Sequence, residues 1–371
     1  MYAENREKAF DAMADIYITN HDAVNWLVKQ PLKALKKRFS TMIIDESGAF
    51  KHATSLRSRA IRRVAPMFDF RECMNGTVSP NTILDAWHQY YLLDQGQRLG
   101  KSFYHFRNQV CAPHQVGPMP NMVKWEDKEG AEQVVATLVR DITIRHQFED
   151  CIDIPPNHEY TIKFIMKPKH RRAYAQMKTA QLALLDSGMV TAVNAAAVTT
   201  KLLQIASGAV YESEFRYHVV DDDRNELIMD LLAERDHSLV FFNWKHQKDQ
   251  LVAAAEKRGY SFCIMDGDST PHEKTETVRL FEAGFYKVMF AHPQSAAHGL
   301  TLVRATTTIW ASPTYNLEHF AQGNKRIYRA GQKNRTETLV VLAEDSIDEK
   351  VYEALAVKKV RMLNLLEELR E

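Results

Sequence analysis

Apolar positions fall into two patterns along the chain. In residues 15–60 short apolar runs alternate with helical stretches. DIYITN predicts a strand, HDAVNWLVKQ a helix, and FSTMIID a second, buried strand. Residues 53–63 predict a helix carrying Arg57, Arg59, Arg62 and Arg63. A further apolar run leads into MNGTVSPN, and ILDAWHQYYLLD then shows apolar residues at helical spacing. Residues 96–129 are rich in turn residues and aromatics, with Pro113, Pro118 and Pro120, and predict an irregular insertion.

A break falls at IDIPPNHEY, where Pro155-Pro156 ends one element and the alternating run YTIKFIM begins another. Beyond it the pattern is regular. Helices (RNELIMDLLAER, HQKDQLVAAAEKRG, PHEKTETVRLFEAG, NLEHFAQGNKRIY) are interspersed with strands (SLVFFNW, YSFCIMDG, YKVMFA, TTTIWAS, TETLVVLAE). Strands joined by helices of this length predict a parallel sheet covered on both faces. Ser346 and Glu349 predict a capping box opening a long amphipathic helix. Its apolar stripe of Val351, Leu355, Met362, Leu366 and Leu369 predicts a packed brace. The expected division is 1–153, 154–345 and a terminal helix, 346–371.

Composition narrows this picture. A chain of 371 residues is long for one hydrophobic core and predicts two domains. The net charge of +1 means that any basic surface must be local. Cys73, Cys111, Cys151 and Cys263 form no C-x-x-C pair, which argues against a zinc ribbon and fits reduced thiols. MYAENREKAF has no apolar signal-peptide core, and no apolar run approaches the roughly 20 residues that span a bilayer. A cytoplasmic protein with no membrane partner is the expectation.

Two segments carry candidate chemistry. Asp45-Glu46 closes a predicted buried strand, where open parallel sheets place ligands. Asp45 is suited to hold Mg2+ and Glu46 to orient or deprotonate an attacking water; a solvated acidic pair is the plainer alternative. In QGNKRIYRAGQK, Gln322, Arg326 and Arg329 are spaced four and then three apart, one face of a helix, with Gly331 as its terminator. Two guanidiniums on one face can stabilise charge on a transferring phosphoryl group. Two basic clusters, Arg57, Arg59, Arg62, Arg63 and Lys163, Lys167, Lys169, Arg171, Arg172, could contact phosphates without reading sequence.

Taken together, these residues resemble the Swi/Snf-like branch of the DEAD/DEAH-box helicase superfamily, in the compact form that bacteriophages encode. DESGAFK is similar to the family's Walker B segment, with Lys51 at its basic position. NGTVSPNTILDAWHQYYLLDQGQRLG resembles the lobe-coupling motif, with Gly76, Thr77, Pro80 and Asn81 in place. FFNWKHQKDQL, Asp266-Gly267 with VRLFEAG, SAAHGLTL and QGNKRIYRAGQ resemble the motifs of the second lobe in their order. The resemblance implies an α/β fold of two RecA-like lobes with parallel sheets, the first incomplete at its N-terminus, plus a bracing helix. It implies a DNA-dependent ATP hydrolase and translocase. Asp45, Glu46, Arg326 and Arg329 would be catalytic, with Asp45 on the Mg2+ of bound ATP. Gln322 and Gly299 would contact nucleotide, and Gly76 and Thr77 would couple the lobes. Asn243, Lys245, Ser295 and His298 would touch the backbone of double-stranded DNA, in the host cytoplasm if the chain is phage-encoded. Two positions depart from the family pattern: Asn75-Gly76-Thr77-Val78 replaces Thr-Gly-Thr-Pro, and Thr301 replaces Asn.

One expected part has no counterpart. The family's phosphate loop belongs ahead of DIYITN, and 14 residues cannot hold the βαβ unit it needs. GQRLGKS, residues 96–102, has three residues between Gly96 and Gly100 where that loop requires four, and it follows a helix. The expectation is therefore weak ATP binding and little hydrolysis by this chain alone. The alternatives are one part of a split ATPase, with a partner chain supplying the phosphate loop, and a non-catalytic DNA-binding or assembly module.

Overall fold

Four-residue apolar runs in the second half of the chain form the centre of a six-stranded sheet, and a smaller parallel pair lies in the first half. The computed structural model describes residues 3–369, apart from 77, 80, 117–121, 187–191, 214–215 and 297–298. The chain forms two units, residues 1–145 with 361–371, and residues 146–360.

In the first unit β1 (Thr41–Ile44) pairs in parallel with β2 (Phe70–Cys73), Ile44 opposite Cys73. Met42, Ile44 and Cys73 face a core of Val24, Leu35, Phe50, Ile61 and Val64. The other face is open: Ile43 is 57% and Phe70 65% exposed. The strand expected at DIYITN is not formed. Residues 13–20 have neither helix nor strand, and Ile16 and Ile18 are exposed. A strand needs a neighbour for its backbone groups, and no described strand lies beside this run.

Residues 96–129 are more regular than expected. The helix Phe103–Val110 leads into an antiparallel hairpin, β3 (Cys111–Gln115) with β4 (Val123–Asp127). Pro113 sits in β3 opposite Trp125. A two-stranded ribbon has only edges, so a residue without an N–H is tolerated there. Pro118 and Pro120 lie outside the described residues. A second core gathers Trp87, Tyr90, Phe106, Val135 and Val139 with Leu365 and Leu369 from the terminal helix.

The second unit contains β5 (Asn157–Phe164), a short antiparallel hairpin of β6 (Ala209–Tyr211) and β7 (Tyr217–Val219), and then β8 (Ser238–Phe241), β9 (Phe262–Met265), β10 (Val288–Ala291), β11 (Thr307–Trp310) and β12 (Thr336–Ala343). The sheet order is β5-β12-β11-β8-β10-β9, parallel throughout, as the alternating pattern predicts. Every residue of β8, β10 and β11 is buried, which is why they read as unbroken runs and not as alternation. The chain winds to opposite sides of β8, so the ends of β8 and β11 form the switch point where such sheets bind ligands.

The terminal helix spans Ile347–Glu368. Its expected capping box is not made. The Ser346 hydroxyl accepts from the Asp348 amide at 3.2 Å, while Glu349 pairs with Lys163 at 2.9 Å instead of reaching back. Val351, Leu355, Met362 and Leu369 are buried as expected, but Leu366 is only half-buried and Leu365 takes its place. Asp348 forms an ion pair with Arg224, both side chains almost fully buried. Arg224 also donates to the carbonyls of Ala311 and Ala206, at 3.1 Å each. Among the described residues no helix is long and apolar enough to cross a membrane.

Candidate functional site

In the first unit the carboxylate pair lies where β1 ends. The Asp45 carbonyl accepts from His21 Nε2 at 2.8 Å, and Asp45 Oδ1 accepts the Glu46 amide at 2.9 Å. Glu46 has φ 49° and ψ 52°, the left-handed region. For a residue with a β-carbon this costs on the order of 1–2 kcal/mol, so the surrounding structure must enforce it.

What enforces it is a buried amide. The Ser47 amide bonds to the Met74 carbonyl at 3.1 Å, extending the β1–β2 pairing past the acidic pair. Gln89 Oε1 accepts from the Ser47 hydroxyl at 2.7 Å and from Asn75 Nδ2 at 2.8 Å. Its Nε2 donates to the carbonyls of Val78 at 2.7 Å and Asp85 at 2.9 Å. A primary amide has two donors and two acceptor sites, and all four are used. One side chain thus fastens the loop carrying Asp45 and Glu46 to the Asn75-Gly76 segment. Beside it His88, fully buried, bonds to the Phe50 carbonyl at 2.6 Å, and burial pushes its pKa down to about 4. Neutral at physiological pH, it donates from Nδ1 and fixes the far end of the Ser47–Phe50 turn. Thr77 and Pro80 lie outside the described residues; Asn81 donates its amide to Asp85 Oδ2 at 3.0 Å.

In the second unit Gln322 belongs to the helix Leu317–Asn324, but Arg326 and Arg329 do not. The expected single helix face is corrected: the helix stops at Asn324, and both arginines sit in the turns that follow. Gly323 and Asn324 are weak helix formers, and the Asn324 side chain is taken up by Trp310 Nε1 at 2.8 Å. Gly331, at φ +97°, closes these turns and not the helix. The arginines still converge. Arg326 Nη1 and Arg329 Nη1 donate to one carbonyl, that of Leu300, at 3.3 and 3.1 Å. Arg326 is 6% exposed, and its own carbonyl accepts the Leu302 amide at 2.9 Å. Residues 299–302 and the arginine turns therefore form one structure, with Gly299 in the left-handed region beside it. Gln332 staples the turn from below, donating to the carbonyls of Val303 and Ala305 at 3.0 Å each.

At the switch point Asn243 Nδ2 donates to the carbonyls of Ser312 at 3.1 Å and Pro313 at 3.0 Å, joining the loops that follow β8 and β11. Lys245 is exposed and opens the helix Lys245–Arg258; Ser295 is half-exposed in the short helix Pro293–Ala296. His298 lies outside the described residues. The basic cluster near residue 167 is largely occupied. Lys163 pairs with Glu349, Lys167 with Asp223, and Arg171 donates to the Glu344 carbonyl at 2.9 Å. Burial pushes the thiols of Cys73, Cys111 and Cys263 up to about 12, which removes them as nucleophiles.

Gln89, Ser47 and His88 escaped the sequence reading. The signal was present: two polar residues, His88-Gln89, inside a helix otherwise rich in large apolar side chains must find buried partners.

One unit thus carries a carboxylate pair at the end of a parallel strand, and the other carries two converging arginines. Residues 2–208 match the SNF2-related domain and residues 223–331 the helicase conserved C-terminal domain. The first match alone spans more than half of the sequence, and the chain belongs to the SNF2-related family. Relatives include putative protein p41 of Acyrthosiphon pisum secondary endosymbiont phage 1, 28% identical over 96% of this chain and 78% of that protein. The ISWI chromatin-remodeling complex ATPase CHR11 of Arabidopsis thaliana is 24% identical over 89% of this chain, which spans only 31% of its length. A solved structure, the Sulfolobus solfataricus SWI2/SNF2 ATPase core in complex with dsDNA, is 20% identical over 91% of this chain and 70% of that one, with a TM-score of 0.45.

Proposed function

We propose that this chain is the motor core of a DNA-dependent ATP hydrolase of Swi/Snf type that moves along double-stranded DNA. The observation that carries the reading is the Gln89 clamp. It ties the strained Asp45-Glu46 loop to the Asn75-Gly76 segment, so that a change at one is felt at the other. The donor set at the end of β1 is two carboxylates, hard oxygen donors suited to Mg2+. Asp45 would hold the ion, which neutralises phosphate charge when bound with ATP. Glu46 would orient or deprotonate the attacking water. Arg326 and Arg329 would stabilise the transferring phosphoryl group, with Gln322 and Gly299 near the nucleotide. Gly76 and Thr77 would couple the lobes, and Lys245, Ser295, Asn243 and His298 would face the DNA backbone.

No G-x-x-x-x-G-K-[ST] loop occurs in the 371 residues, so the β- and γ-phosphates lack their usual backbone cradle and lysine. The chain alone is expected to bind ATP weakly. Phosphate release by the purified chain tests both statements. Turnover should be slow, rise with duplex DNA, and vanish in Glu46→Gln. Turnover indifferent to Glu46→Gln refutes the role of Glu46, and fast turnover refutes the weak grip.

A second reading, that further polypeptide completes the nucleotide grip, is favoured by the open face of β1–β2. Parallel sheets are ordinarily covered on both faces, yet Ile43 and Phe70 are more than half exposed. A peptide carrying a strand and a phosphate loop should raise ATP affinity on mixing; no change would count against it.

A further inference from the structure

The cations of the second unit are widely matched by acids within the fold. Lys163, Lys167, Arg235, Lys248 and Arg258 each pair with a carboxylate. One stretch of the first unit differs, although Arg98, Lys124, Arg145 and Arg361 elsewhere in that unit are paired. Residues 23–68 contain ten lysines and arginines, against only Asp45 and Glu46, in a chain whose net charge is +1. Of the acids that flank this stretch, Asp22 and Asp69, Asp22 lies 4.0 Å from Arg57. Arg38 is spread over the rings of Phe10 and Tyr17, and Arg62 over Tyr91 at 4.2 Å.

Two groups remain. Lys33, Lys36 and Lys37 share one face of the helix Leu32–Arg38, and Arg59 and Arg63 share one face of the helix Leu56–Val64. All five are exposed, and none forms an ion pair among the described residues. Both helices seat their apolar sides, Leu35 on one and Ile61 and Val64 on the other, in the same core, so the cations lie on the far side of it. A helix dipole favours cations in the last turn, which accounts for Lys36, Lys37 and Arg63. It does not account for Lys33 or Arg59, which sit earlier. Like charges at this spacing repel, and no carboxylate among the described residues pairs with them.

We propose that Lys33, Lys36, Lys37, Arg59 and Arg63 form a docking surface for the phosphate backbone of duplex DNA, deepening the function proposed above, on which it rests. The composition of the face favours a duplex over a single strand. Single-strand binders stack bases on exposed aromatic rings. Here Phe10 and Phe39 pack against each other and Tyr91 lies beneath Arg62, while the exposed Phe70 stands on the opposite face of the sheet.

The test is fluorescence anisotropy of a labelled 20-base-pair duplex with the full chain, over a range of KCl concentrations. One variant carries Lys33→Gln, Lys36→Gln, Lys37→Gln, Arg59→Gln and Arg63→Gln. A control neutralises Lys101, Lys178, Arg216, Lys274 and Lys350 in the same way. Each phosphate contact contributes about 0.9 to the slope of log affinity against log salt. The face variant should therefore lose about 4 from that slope and about a hundredfold or more in affinity near 0.1 M salt. The control should stay within about threefold of wild type. A face variant with the wild-type slope overturns the surface while leaving the proposed function standing. Wild-type chain that does not bind the duplex at all removes both. Displacement of the duplex by polyglutamate at equal charge overturns DNA in favour of an acidic protein.

Discussion

Replacing Gln89 with leucine keeps the volume of the side chain and removes its four hydrogen bonds. The Ser47 hydroxyl and the Asn75 amide lose their acceptor, and the Val78 carbonyl loses a donor. The Asp85 carbonyl lies in the first turn of the helix Asp85–Asp94 and is less dependent on Gln89. Three buried hydrogen bonds lost at about 1 kcal/mol or more each, offset by about 1 kcal/mol for the apolar side chain, give a net loss of about 2–3 kcal/mol. Because a two-unit chain need not unfold in one step, the measurement should be local: hydrogen exchange of peptides covering residues 44–50 and 85–94. Both should open more readily in Gln89→Leu, with peptides of the second unit unchanged. A cycle with Ser47→Ala sharpens the test. Ser47→Ala should cost about 1 kcal/mol in wild type and almost nothing beside Gln89→Leu. Strict additivity, or unchanged exchange at residues 44–50, would refute the claim that Gln89 holds the acidic loop.

Three further outcomes follow from buried geometry. A β-carbon at Gly323 would lie 2.8 Å from Trp310 Cζ2 and 2.9 Å from Phe241 Cε2, rings that stack at 4.5 Å in the sheet core, so Gly323→Ala should destabilise the second unit by about 1–3 kcal/mol, read as a lowered melting temperature. His88 takes up its proton in the unfolded chain near pH 6.5 but in the folded one only near pH 4. The unfolded state therefore binds more protons between those values, and stability falls as pH drops from about 6.5 to about 4, by on the order of 3 kcal/mol, a slope that should be shallower in His88→Gln by denaturant melts across that window. Asp348→Asn leaves the Arg224 guanidinium buried without its counter-charge, and should cost about 3–5 kcal/mol in urea unfolding of the second unit.

The parallel sheet of the second unit was legible because its strands and helices differ in period, and a buried parallel strand can be read from its run of apolar residues alone. The first unit was less legible for a physical reason. Strand formation at DIYITN depends on a neighbour, which composition cannot supply, whereas the β3–β4 hairpin forms despite Pro113 because a two-stranded ribbon has room for it. Helix ends were misread where side chains compete for backbone groups. Glu349 has the right spacing for a capping box, but Lys163 offers it a charge-assisted partner, so the box is lost.

The arginine segment shows how spacing can identify the right residues through the wrong geometry. Positions 322, 326 and 329 fall on one side of an ideal helix, but the helix ends at Asn324, where Trp310 captures the asparagine side chain. The two guanidiniums come together instead by meeting the Leu300 carbonyl, which belongs to the segment beginning at Gly299. That arrangement couples more than a helix face could, since a shift of residues 299–302 must move both arginines. The same logic operates around Gln89, where Asn75 departs from the family's threonine and a longer amide takes part in the clamp. In both places a carbonyl or amide shared by two chain segments does the joining, and such sharing appears in a sequence only as a polar residue at an otherwise apolar position.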